Sequence, residues 1–303
     1  MLMLAHDRSE PWLSRTYPWA AVFVIASFLS HSGCSKSEPS GSEFQPVPQT
    51  KLPDWHVVFR HPDGRALTLG DLKAAEKQPR SETAVPKDVP QEAQDLHGSA
   101  RQAGSKDEFD KALELLERAH KLAPTWPYPV YDAAYTYLLK GDTAAAEAKY
   151  AEADRMAPRG YFTVKASLDC LRREREAKVP AGFCKEFIAL ESLDNTGKKR
   201  GILRGMVEKV PEFPPGWKEI LPFLEGDESR LKAIGMGLAH DPDDDTKGML
   251  LIGKATILYK RGDRAEATGI LGQLALDPRT TLAVEQLAKV TLMNLLGESA
   301  GKK

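Results

Sequence analysis

Residues Trp126 to Pro158 read WPYPVYDAAYTYLLKGDTAAAEAKYAEADRMAP. Helix formers fill both halves, and Gly141-Asp142 stands between them. In the first half Val130, Ala133, Ala134 and Tyr137 recur at helical spacing, and in the second Ala146, Tyr150 and Ala153 do the same. Pro158 stops the second helix. The stretch therefore predicts two helices joined by a tight turn. Its small residues let the helices approach closely. One such pair cannot bury its apolar face alone, so similar neighbours are expected on both sides.

Composition sets the outer bounds. The chain has 303 residues, enough for one or two domains. It is 28% charged and 42% hydrophobic, ordinary values for a soluble globular protein. With 42 Lys+Arg against 43 Asp+Glu the net charge is -1, which argues against an electrostatic nucleic-acid binder. The three cysteines, Cys34, Cys170 and Cys184, have no zinc-ligand spacing.

The amino-terminal run WAAVFVIASFL, Trp19 to Leu29, is too short to span a membrane and suits a signal-peptide core. Arg8 and Arg15 precede it, and SHSGCSKSEPSGSE follows. Ser32, Gly33 and Cys34 resemble the cleavage site of bacterial lipoproteins, although His31 departs from the Leu, Val or Ala usual in that family. The resemblance implies that residues 1–33 are removed and that Cys34 carries acyl chains. Ser35 rather than Asp follows, which implies the outer membrane, facing the periplasm. An ordinary secreted protein and an uncleaved anchor are the other readings of this segment.

Residues 34–51 are rich in Ser, Pro and Gly and read as a disordered tether. Residues 52–76 read as a β-hairpin plus a short helix. The β-prone Trp55, Val57, Val58 and Phe59 precede HPDGR, and Ala66 to Leu69 follow it. A hairpin alone is marginal in water, so it is expected to pack on the helices. Residues 77–90 lack any period and read as loop.

From Gln91 the pattern is helical to the end, giving a repeat domain over 91–297 and a frayed tail over 298–303. Ala134, Tyr137, Gly141, Ala146, Tyr150, Ala153 and Pro158 resemble the signature of the tetratricopeptide repeat, a helix-turn-helix of about 34 residues. Ala112, Leu116, Ala119 and Pro124 occupy matching places in the unit before, whose first helix is interrupted by Gly98 and Gly104. Ala255, Leu258, Gly262, Asp263, Ala267 and Leu271 do so in the last clear unit. Between them the signature is degenerate, and TTLAVEQLAKVTLMNLL reads as a capping helix. The expected fold is mainly α, a tetratricopeptide-like solenoid.

That resemblance implies a concave groove for a protein or peptide partner. The matching groove positions are Tyr131, Tyr135 and Leu138 in the quoted unit, Ile252, Thr256 and Tyr259 in the last, and His97 and Arg101 in the first. Exposed tyrosines would make good anchors; the other reading packs them on the hairpin or on nearby loops. Tyr131 and Tyr135 stand where a carboxylate clamp needs Lys and Asn, so chaperone-tail binding is not expected.

Cys170 and Cys184 lie on consecutive predicted helices. In an oxidising compartment they are a possible disulfide, but their distances from the turn differ by roughly 4–5 Å at helical rise, which favours two buried small side chains. The run Asp241, Asp243, Asp244 and Asp245 lacks the glycine and terminal Glu of a calcium loop and reads as a solvated, helix-capping turn. His120 reads as a favourable charge at a helix C-terminus. The sequence carries no Gly-x-Ser-x-Gly or His-Glu-x-x-His motif, so neither an enzyme nor a cofactor is expected. The expected function is a membrane-tethered scaffold for a protein or peptide partner in the bacterial envelope. The alternatives are a glycan or cell-wall-fragment binder using Tyr131, Tyr135 and Trp126, and a self-associating structural spacer.

Overall fold

In the computed structural model the described residues are 57–60, 80–83, 88–193 and 195–300. The lipidation expected at Cys34, the signal and tether of residues 1–51, the turn HPDGR, the strand expected at Ala66–Leu69 and the short helix after it all lie outside them.

Twelve α-helices make up the described array: α1 (Gln91–Gly104), α2 (Phe109–Leu122), α3 (Tyr128–Lys140), α4 (Thr143–Met156), α5 (Val164–Arg175), α6 (Phe183–Ala189), α7 (Thr196–Lys209), α8 (Pro214–Ile220), α9 (Asp227–Leu238), α10 (Asp244–Arg261), α11 (Arg264–Leu276) and α12 (Leu282–Ala300). Short 3-10 turns at Leu190–Ser192 and Leu221–Phe223 extend α6 and α8. The fold is a mainly α, tetratricopeptide-like helical-repeat solenoid.

The quoted stretch forms α3 and α4, and the reason is local. Gly141 adopts a left-handed φ of 87°, its N–H bonds the Leu138 carbonyl, and the Asp142 N–H bonds the Tyr137 carbonyl. This is the Schellman arrangement, which satisfies carbonyls that the helix end leaves open. The Asp142 carboxylate then accepts from the Ala145 N–H at 3.0 Å and starts α4. Gly262 repeats the device between α10 and α11, with φ 96° and the same pair of bonds to Tyr259 and Leu258. Gly98 does not break α1: Ala93, His97, Ala100 and Ala103 are buried at helical spacing, and their packing outweighs the ~1 kcal/mol cost of an exposed helical glycine.

Three local expectations need correction. Residues 77–90 are not all loop, because Arg80–Thr83 is a strand, β2, antiparallel to β1 (Val57–Arg60), with Val57 opposite Thr83 and Arg60 opposite Arg80. The RSET run has little strand propensity of its own, and the pairing supplies what its composition does not. Residues 298–300 belong to α12, which extends to Ala300 instead of ending at 297. Cys170 and Cys184 form a disulfide, with their Cα atoms 5.6 Å apart. The connection after α5 does not turn at the helix tip. It passes Ala177 and Gly182, at φ 56° and 78°, and sets the start of α6 beside the middle of α5.

The apolar interior is divided. One cluster runs from Val130 to Ile220, a second from Met249 to Leu295, and a small one joins Ile234, Leu250 and Ile257. The array also folds back on itself. The Leu282 N–H at the start of α12 donates to the Arg159 carbonyl after α4 at 2.8 Å. In a straight stack at about 10 Å per layer, units that far apart would lie roughly 30 Å from each other.

Candidate functional site

The positions expected to line an open groove are mostly buried. Tyr131 is 1% exposed and Tyr135 7%, while Leu138, Ile252, Thr256 and His97 are also in the interior. For Tyr131 the reason is the connection after Pro158, which is longer than a tight inter-repeat turn. Gly160 and Phe162 take left-handed φ values of 91° and 48°. Tyr161 and Phe162 thereby fold onto the face of α3 that a regular repeat leaves open. Tyr131 packs against Phe162, Tyr150 and Tyr161 with ring centroids 5.2, 5.8 and 6.2 Å away. Trp126 is buried as well, so the trio Tyr131, Tyr135 and Trp126 does not present a glycan platform.

Beneath these rings lies a polar network. The Tyr131 hydroxyl donates to Glu191 Oε2 at 2.9 Å and stands 3.0 Å from Thr163 Oγ1. Thr163 also donates to the other oxygen of Glu191. A second set centres on the fully buried Asp132. His97 Nε2 lies 2.9 Å from its Oδ2, and Arg101 Nε is 3.8 Å from the same oxygen. The Arg101 guanidinium stands 5.9 Å from the centroid of the half-buried Tyr128 ring. His97 and Arg101 thus hold a buried carboxylate between α1 and α3, a positioning task.

In the last unit, α12 covers the equivalent face. Ile252 packs in the cluster with Leu271, Val284 and Leu287. The Thr256 hydroxyl donates to the Ile252 carbonyl of its own helix at 2.9 Å. Tyr259, half-buried, donates to the Leu295 carbonyl at 2.8 Å. The cap occupies the space that the groove expectation reserved for a ligand.

The aspartate run is built into the fold rather than solvated throughout. Asp243 caps α10, accepting from the N–H groups of Asp245 and Thr246 at 3.1 and 3.0 Å. Asp245 accepts from the Thr281 hydroxyl at 2.9 Å and faces Lys218 Nζ at 3.9 Å. Lys218 is buried, and burial alone would lower its pKa. The carboxylates of Glu219, Asp245 and Asp243 outweigh that and hold it above the ordinary lysine value. Burial pushes the Asp243 carboxyl up, and Asp245 adds to the rise. His120, expected to be a charge at a helix end, is half-buried 3.5 Å from Glu152; burial lowers its pKa and so disfavours the cation.

A cleft of about 420 Å³ lies between α6 and α7, a place to which no sequence motif points. Pro180, Ala181, Gly182, Phe183 and Glu186 line one wall, and Gly201, Ile202, Gly205, Met206 and Lys209 the other. A Cβ added at Gly201 or Gly205 would meet nothing within 4 Å, so internal packing does not require either glycine. Each costs about 1 kcal/mol in a helix interior. The α6 wall is pinned three ways. The disulfide ties Cys184 to α5, and Glu174 accepts from the Gly182 and Cys184 N–H groups, both at 2.9 Å. Phe183 and Phe187 meet Phe213 edge-on, at 5.0 and 4.9 Å. Weaker signals were legible in principle: Gly201 and Gly205 are one helical turn apart, and PAGF before α6 forecasts an irregular entry.

Fold and surfaces together define a helical-repeat protein of tetratricopeptide-like architecture. No family model matches the chain, and no curated protein does. Among solved structures, it is similar to the flexible tandem repeat domain of a bacterial cellulose synthase component. The identity is 17%, over 71% of this chain and 100% of that one, with a TM-score of 0.30.

Proposed function

We propose that the chain is a non-catalytic scaffold in the bacterial cell envelope, anchored through lipidated Cys34, that holds a segment of a protein partner in the cleft between α6 and α7. The observation that carries the reading is the cleft itself. Phe183 on one wall and Ile202 and Met206 on the other give it an apolar lining, and Gly201 and Gly205 leave helix backbone open to close approach. Glu186 and Lys209 place opposite charges on its two walls, which orients an occupant carrying a basic group near one and an acidic group near the other.

The test fills the cleft. Gly201→Leu with Gly205→Leu adds side chains where nothing inside the protein is displaced. A photo-crosslinker at position 202 is expected to give one discrete adduct in cells, lost in the filled variant while helicity and melting temperature are kept. An adduct that persists in the filled variant refutes the cleft as the docking site. The anchor is tested separately: Cys34→Ser is expected to move the protein out of the membrane fraction, and continued membrane retention refutes the lipid anchor.

A further inference from the structure

We infer that the return contact between the α4–α5 connection and the start of α12 is a polar latch, which holds the array closed and can open without unfolding either half. Three observations converge. First, the contact is sequence-remote and two-sided. Arg159 donates from Nε and Nη2 to the Thr280 carbonyl at 3.0 and 2.9 Å and also bonds Glu285, while its own carbonyl accepts from the Leu282 N–H at 2.8 Å. Second, the neighbouring α5 repeats the chemistry. Arg173, held by Asp169 at 2.7 Å, reaches the carbonyls of His240, Asp241 and Glu212 at 3.1, 2.7 and 3.3 Å. Both guanidiniums thus end on main-chain oxygens of later connections. Third, the apolar core does not cross the junction, since one cluster ends at Ile220 and the other begins at Met249.

These features separate a latch from a core contact. Splitting a continuous apolar core would expose greasy surface, which water does not compensate. Guanidinium, carboxylate and carbonyl groups regain hydrogen bonds with water when parted, so the net cost of separation is modest. Arg159 is itself partly solvated, with 29% of its side chain exposed. The halves stay joined through α8, α9 and α10, where Leu221, Ile234, Leu250 and Ile257 pack together, and the hinge falls there.

The experiment is hydrogen–deuterium exchange with small-angle scattering on the full-length chain, comparing wild type, Arg159→Ala and Glu285→Gln. Leu282 is the first residue of α12 and its N–H has no partner inside that helix, so its protection reports the latch directly. Arg159→Ala is expected to speed exchange there by roughly 10- to 100-fold, the factor carried by charge-assisted hydrogen bonds. Glu285→Gln keeps the Thr280 contacts and is expected to act less. In both, the maximum dimension lengthens while circular dichroism and protection in α3 and α11 stay as in wild type. Unchanged exchange at Leu282 with an unchanged scattering curve overturns the latch. So does global loss of helicity in both variants, which makes the contact part of an indivisible fold.

Discussion

Tyr131 shows why a repeat signature places a residue on a face without saying whether that face is open. Its helical register was readable from WPYPVYDAAYTYLLK, but its burial depends on Tyr161 and Phe162, thirty residues later, adopting a connection that no periodic pattern announces. Its hydroxyl serves a half-buried carboxylate rather than a partner, because it and Thr163 both donate to Glu191. Tyr131→Phe keeps the ring packing and removes one donor. It is expected to destabilise the protein by about 1–2 kcal/mol, read as a lower urea midpoint at constant slope. Its effect should be non-additive with Glu191→Gln, since both act on one network. If Tyr131→Phe leaves the midpoint unmoved, the network contributes nothing to stability.

At the scale of elements, the sequence reported best where the determinant is local. Gly141-Asp142 and Gly262-Asp263 encode the end of one helix and the start of the next within a few residues, and both turns stand where their glycines predict. It reported worst where a neighbour supplies the determinant. RSET becomes a strand only opposite Val57–Arg60. A simple turn between α5 and α6 would leave the cysteine pair mismatched, whereas the Ala177–Gly182 connection returns along α5. Seven residues are too few for α6 to hold its shape alone. The disulfide, the Glu174 carboxylate and Phe213 hold it in place. Replacing both cysteines by serine removes a cross-link over a sequence separation of 14, expected to cost about 3 kcal/mol on the chain-entropy account. Exchange protection should fall first in α6 and at the Phe183 wall of the cleft, with α3 and α4 unaffected. Uniform loss of protection across the array would mean that α6 is not an independently tethered element.

At the scale of the whole molecule, a repeat array is expected to be quasi-linear, with stability summed over neighbours. The contacts of Arg159 break that rule by joining residues 121 and 126 positions apart. Nothing in the sequence forecasts them, because Arg159 and Glu285 each read as an ordinary charge near a helix end. If the latch couples the two apolar clusters, that coupling has a definite pH dependence. Burial would raise the Glu285 pKa, but hydrogen bonds and charge from Lys289 and Arg159 outweigh it, so the folded value lies below that of an ordinary glutamate. A carboxyl with a depressed folded pKa contributes stability that is present above its unfolded pKa and lost as pH falls through the folded one. Protonating Glu285 removes the acid from the clamp and leaves the Thr280 carbonyl to hold Arg159 alone. Scanning calorimetry should therefore give one transition at about pH 7 and two as the pH falls toward about 3. Other carboxylates titrate in the same range, so Glu285→Gln provides the control: it should show two transitions already at neutral pH, and acid should separate them little further. A single transition in that variant at both pH values would mean that the α8–α10 junction alone couples the halves and that the Arg159 contact has no part in cooperativity.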